Sequence, residues 1–95
     1  LGYGNREIAA AVAEQLATLH YVGTVANLSP PTIRLAETVA GLTPAGLTKV
    51  MFASGGSEAV ETAIKIAKQY QIQAGKPRAY KVISRWNAYH GATMG

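Results

Sequence analysis

Lys49-Val50-Met51-Phe52-Ala53-Ser54-Gly55-Gly56-Ser57-Glu58-Ala59-Val60-Glu61-Thr62-Ala63-Ile64-Lys65-Ile66-Ala67-Lys68 runs from a short apolar stretch, through a Gly/Ser turn, into a helical pattern. The length of the apolar run, Lys49 to Ala53, favours a buried strand over a helix. Ser54 to Ser57 break it sharply. From Glu58 onward Ala59, Ala63, Ile66, Ala67 and Tyr70 recur on one face, expected to point to a core. Glu61 stands four residues before Lys65 on the outer face. Gly75-Lys76-Pro77 ends the helix. Ala79 to Ser84 reads as a second strand, followed by a polar and aromatic loop, Arg85 to Gly91. Strand, turn, helix, strand is a βαβ unit, in which the two strands are normally parallel and joined by a right-handed crossover. Function is then expected at the C-terminal ends of the strands, at Ser54–Ser57 and Arg85–Gly91.

Upstream, Asn5 is a candidate N-cap, and Ile8, Val12 and Leu16 form an apolar stripe that predicts a helix over Arg6 to Leu19. His20 to Ser29 has no clear period and reads as an irregular crossing segment. Pro30 and Pro31 suit the start of a second helix, which runs to Gly41.

Composition narrows the function classes. The chain has 95 residues, 48% of them apolar and 15% charged, which is enough for a small globular core. Nine Lys/Arg against five acidic residues give a net charge of +4. These cations are scattered without interleaved aromatics, which argues against a nucleic-acid track. No stretch is long and apolar enough to span a membrane, and Leu1 to Arg6 does not resemble a signal peptide. With no cysteine, neither a disulfide framework nor a thiolate metal site is available, and a cytoplasmic location is expected. No metal site is expected either. All five acidic residues are Glu, so Asp is absent from the chain.

The turn Ser54-Gly55-Gly56-Ser57 lies between the predicted strand and a helix N-terminus, where backbone N–H groups lack helical partners and favour an anion. Glycine lets the main chain approach a phosphate, and Ser57 adds a hydroxyl. Glu58 would repel a phosphate and is expected to point away. The turn is neither a Walker loop nor a Gly-x-Gly-x-x-Gly fingerprint. Read locally, it also fits an ordinary tight turn with a serine cap.

Ser54 to Lys68 resembles the class III aminotransferase signature, commonly Asn-Ser-Gly-Ser-Glu-Ala-Val/Asn-Glu-x-Ala-x-Lys-x-Ala-Arg. Gly75-Lys76-Pro77-Arg78 and Arg85-Trp86-Asn87-Ala88-Tyr89-His90-Gly91-Ala92-Thr93 resemble the blocks that follow it. Leu1-Gly2-Tyr3-Gly4-Asn5 and Leu42-Thr43-Pro44-Ala45-Gly46-Leu47 resemble upstream segments of the same family. The resemblance therefore spans the chain, with one departure: Gly55-Gly56-Ser57 stands where the family often has Ser-Gly-Ser. It implies an α/β fold, the fold type I (aspartate aminotransferase-like) large domain, present in part. Residues 1–28 would lead into that domain and 29–95 would begin it.

The resemblance also implies pyridoxal 5′-phosphate, with Gly56 and Ser57 at its phosphate and Tyr89 stacked on its ring. His90 is read as structural, because the family's proton mover is a lysine. Arg85 and Trp86 are read as loop anchors, and Lys65 and Lys68 as a solvated face. Neither the family's lysine block nor its aspartate is matched here, so no catalytic residue is assigned within the chain. The chain is expected to be a piece of a homodimeric enzyme that transfers an amino group between an amine or omega-amino acid and a keto acid such as pyruvate. The alternatives are an aminomutase or decarboxylase of the same fold, or a non-catalytic structural or partner-binding α/β domain.

Overall fold

The computed structural model describes residues 2–23 and 26–94. Leu1, which opens the resemblance, and Thr24, in the expected crossing segment, lie outside the described residues, as do Val25 and Gly95. The chain divides into two units, Leu1–Val50 and Met51–Gly95. Among the described residues the regular elements are three helices: α1 (Arg6–Thr18), α2 (Pro30–Leu42) and α3 (Gly56–Gln73).

In the first unit, the Asn5 side chain accepts the Ile8 N–H at 3.0 Å, so the expected cap forms and α1 starts at Arg6. The helix ends at Thr18, one residue before the expected Leu19, and the Leu19 N–H closes on the Gln15 carbonyl at 2.8 Å. Pro30 and Pro31 occupy the first turn of α2, where a missing N–H costs nothing. The Thr43 hydroxyl reaches the carbonyls of Ala40 and Leu47, at 2.9 and 2.7 Å, tying the end of α2 to the following Pro44–Leu47 turn.

In the second unit, α3 begins two residues earlier than its periodicity suggests, at Gly56 instead of Glu58. Its C-terminus is a Schellman motif. The Lys76 N–H bonds the Gln71 carbonyl at 2.8 Å, and the Gly75 N–H bonds that of Ile72 at 3.1 Å. Gly75 makes this possible with φ +74°, a conformation that costs a residue with a Cβ.

The parallel βαβ unit expected from the sequence is not formed: neither Lys49–Ala53 nor Ala79–Ser84 is a strand, and no strand occurs among the described residues. A strand exists only through its ladder, and here neither segment has a hydrogen-bonding neighbour. The expected core is likewise absent. No described residue is buried; Ile8, Val12 and Leu16 of α1 stay 44–56% exposed, and Ile66 and Tyr70 of α3 59% and 65%. On α3, Ile64, Ala67, Lys68 and Gln71 border the segment Arg78–Val82, which follows a turn at Pro77–Arg78. Lys68 borders this open groove and is itself exposed, as the solvated-face reading expects.

Folding must offset backbone ordering of roughly 1–2 kcal/mol per residue through burial. This chain by itself buries too little. Expressed alone, it should show helical far-ultraviolet circular dichroism that decays gradually on heating, and a sharp cooperative melt would contradict this.

Candidate functional site

The N-terminus of α3 carries no side-chain cap, because its N-cap residue is Gly55. The first helical bond runs from the Ala59 N–H to the Gly55 carbonyl at 3.0 Å, which leaves the N–H groups of Gly56, Ser57 and Glu58 without helical acceptors. At Gly56 nothing lies within 4 Å of the position a Cβ would take, so the approach to these donors is open. Together with the helix dipole they can take an anion.

Glu58 departs from the expectation that it points away. Its Oε2 lies 3.0 Å from where a Cβ on Gly55 would be. At the third helical position a glutamate reaches back toward the N-cap, as in a capping box, and this local geometry decides its rotamer when no anion competes.

Ser57 has a second task that the sequence did not reveal. Its Oγ accepts the Ala92 N–H at 2.9 Å, across 35 residues of sequence, and keeps its own hydroxyl hydrogen to donate. Gly91 sits directly against it. A Cβ at Gly91 would lie 3.1 Å from Ser57 Cα, 3.2 Å from Oγ and 3.3 Å from Cβ, and φ is +125°. One helical turn further, the Glu61 carboxylate accepts from Lys65 Nζ at 2.7 Å, the expected i,i+4 pair.

The loop before Gly91 turns at Asn87, whose φ of 60° is left-handed, a conformation asparagine tolerates. His90 Nε2 lies 3.4 Å from the Arg85 carbonyl, a weak closure of the loop consistent with a structural part for His90. Trp86 is 93% exposed and anchors nothing here. Tyr89 is 82% exposed, two residues from Gly91 and so within about 7 Å of it along the backbone. The structure thus brings Ser57 and the Tyr89 loop to one end of α3. The signal missed in the sequence was Gly91, a glycine outside the obvious turn.

A groove of about 770 Å³ lies within the first unit between α1 and the start of α2, lined by Glu14, Gln15 and Arg34 among others. It is an open wedge without a converging reactive group, and the end of α3 is the better chemical candidate.

The uncapped, glycine-lined N-terminus of α3 thus has free donors that can take an anion, with the loop of the exposed Tyr89 fastened beside it. A family model for class-III aminotransferases matches residues 1–95. The chain is 53% identical over 95 residues to a probable aminotransferase of Mycobacterium tuberculosis, covering 100% of this chain and 20% of that protein. It is 41% identical over 93 residues to a beta-alanine–pyruvate aminotransferase of Pseudomonas aeruginosa, covering 98% of this chain and 21% of that protein. To an omega-amino acid–pyruvate aminotransferase of Pseudomonas putida it is 38% identical over 93 residues, with coverage of 98% and 21%. The chain belongs to the class-III aminotransferase family, and it spans about a fifth of the length of the curated relatives it matches.

The Lys65 hydrogen bond and charge hold the Glu61 carboxyl below its ordinary pKa. A depressed carboxylate contributes stability above its unfolded value, about 4.3, and loses it as pH falls through the lower folded value. The helical circular dichroism should therefore show an extra loss below about pH 4. In Glu61→Gln that extra step should vanish.

Proposed function

We propose that the whole protein is a pyridoxal-phosphate-dependent aminotransferase that moves an amino group between an amine or omega-amino acid and a keto acid such as pyruvate. The observation carrying this reading is the uncapped turn at Gly56 and Ser57 with the Tyr89 loop beside it, in a chain whose relatives bear aminotransferase names, two of them naming pyruvate. Those names favour amino-group transfer over an aminomutase, a decarboxylase or a non-catalytic domain.

The donor set fits the cofactor. The free N–H groups of Gly56 and Ser57 and the Ser57 hydroxyl hydrogen bind its phosphate, and the dipole of α3 adds to the attraction. The loss of one family hydroxyl at Gly55 leaves these donors in place. Glu58 turns outward when the phosphate is bound, because its carboxylate would otherwise repel it. Tyr89 presents an exposed ring face on a fastened backbone, suited to stacking on a pyridine ring and fixing its plane. Pyridoxal 5′-phosphate supplies the electron sink that makes amino transfer accessible. Lys65 is committed to Glu61, and Lys49, Lys68, Lys76 and Lys81 do not match the family's lysine block. The proton-moving lysine and the aspartate at the pyridine nitrogen belong to other parts of the whole protein.

In the same reading, Lys49–Ala53 and Ala79–Ser84 are parallel strands of a fold type I large domain once the rest of its sheet is present. Residues 1–28 lead into that domain and 29–95 begin it. The whole protein is a cytoplasmic homodimer that binds neither nucleic acid nor membrane.

Gly56→Val in the whole protein should crowd the open approach at the turn and release the cofactor on dialysis, read from the visible absorbance. Full retention would remove the cradle assignment. Tyr89→Ala should weaken cofactor binding by about 1 kcal/mol, the usual order of a stacking contact. An unchanged dissociation constant would exclude the ring platform.

A further inference from the structure

Ser57 Oγ has one hydrogen-bond partner among the described residues, the Ala92 N–H at 2.9 Å, and that partner comes from a distant part of the same unit. A hydroxyl oxygen carries one hydrogen and two lone pairs. Near a helix start, a serine oxygen readily turns to backbone N–H groups close by in the chain. Had it done so here, it would occupy one of the donors that the uncapped end of α3 leaves free. Ala92 meets the oxygen from outside the helix instead. The N–H groups of Gly56, Ser57 and Glu58 stay free, and the hydroxyl is left to present its hydrogen. An oxygen that already accepts one hydrogen bond is also polarised into a better donor.

Gly91 makes the approach of Ala92 possible. Its φ is +125°, a region that L side chains rarely adopt. A Cβ there would stand 3.1 Å from Ser57 Cα, 3.2 Å from Oγ and 3.3 Å from its Cβ, all tighter than ordinary van der Waals contact. Ser57 Cα and Cβ are fixed by the helix backbone and cannot swing aside as a rotamer would. A side chain at position 91 would therefore push the loop off α3 and carry the Ala92 N–H with it. At Gly56, by contrast, nothing lies within 4 Å of where a Cβ would be. The turn is crowded where the loop touches Ser57 and open at Gly56.

We propose that Gly91 and Ala92 are positioning residues that hold Ser57 as a hydrogen donor toward a bound phosphate ester. Gly91 permits the close approach, and the Ala92 N–H occupies the Ser57 oxygen. The inference rests on the cofactor reading above. Both residues act through Ser57 and not on the ligand directly. A set made only of N–H and O–H donors suits the oxygens of an ionised phosphate, which only accept. Binding of the phosphate depends on this pair whether or not a ring is attached, and the plane of the ring does not.

The experiment uses the whole protein loaded with pyridoxal 5′-phosphate. The Ala92 amide is replaced by an ester, through incorporation of lactic acid at that position, which deletes the N–H and keeps the shape. This form is compared with Ser57→Ala, with the two changes combined and with Gly91→Ala. Affinity is measured for the cofactor and for inorganic phosphate as its competitor. The phosphorus magnetic resonance shift of the bound cofactor reports hydrogen bonding at the phosphate, and visible circular dichroism per bound cofactor reports ring orientation. Ser57→Ala should weaken both ligands about fivefold, the factor for one net hydrogen bond. The ester and Gly91→Ala should weaken both by at least about twofold, the low end for one such bond. They should move the phosphorus resonance in the same direction as Ser57→Ala and leave the dichroism unchanged. In the combined form the ester should add nothing to Ser57→Ala, because the oxygen it acts on is gone. If the ester form does not fold, Ala92→Pro deletes the same N–H and enters the same cycle. Unchanged affinity and resonance on loss of the N–H overturn the proposal, as does a loss that adds to that of Ser57→Ala. Full cofactor retention in Gly56→Val would instead remove the cradle assignment on which the proposal stands.

Discussion

The hydrogen bond from the Ala92 N–H to Ser57 Oγ is the constraint on which the organisation of the second unit depends. The other hydrogen bonds described are local, within a helix, at its caps or in a neighbouring turn. This one joins residues 35 apart, so it must offset the closure of a long loop, a cost that grows only slowly with loop length. A single net hydrogen bond of about 1 kcal/mol does not suffice for that. The close seat of Gly91 on Ser57 shares the task.

The helix that carries this contact is built from local rules. It starts at a glycine pair that cannot cap it and stops at a glycine that can, through the Schellman bonds of Gly75 and Lys76. The asymmetry has a functional meaning. A capped C-terminus stabilises α3 internally, and an uncapped N-terminus leaves donors for an external anion. α1, by contrast, is capped at its start by Asn5 and offers no such site. In this chain the uncapped donors thus stand at the helix end where the loop bearing Tyr89 is also fastened.

Much of this was legible in the sequence by itself. Asn5, Pro30, Pro31 and Gly75 determined where helices begin and end, because caps and helix breakers act within a few residues. The Glu61–Lys65 pair followed from spacing alone. The family was readable from Ser54–Lys68 and Arg85–Thr93, and the whole-chain family match agrees with it. What the sequence could not supply was anything needing a partner distant along the chain. Lys49–Ala53 and Ala79–Ser84 have strand composition, but a strand is a property of a ladder, and among the described residues they have none. The core-facing stripe of α3 was misread for the same reason: periodicity shows that faces exist, and only a packed neighbour decides which one is covered. Tertiary structure alone revealed that Ser57 holds Ala92 and that Gly91, at φ +125°, seats against Ser57, since these contacts join residues 35 and 34 positions apart that no local pattern connects.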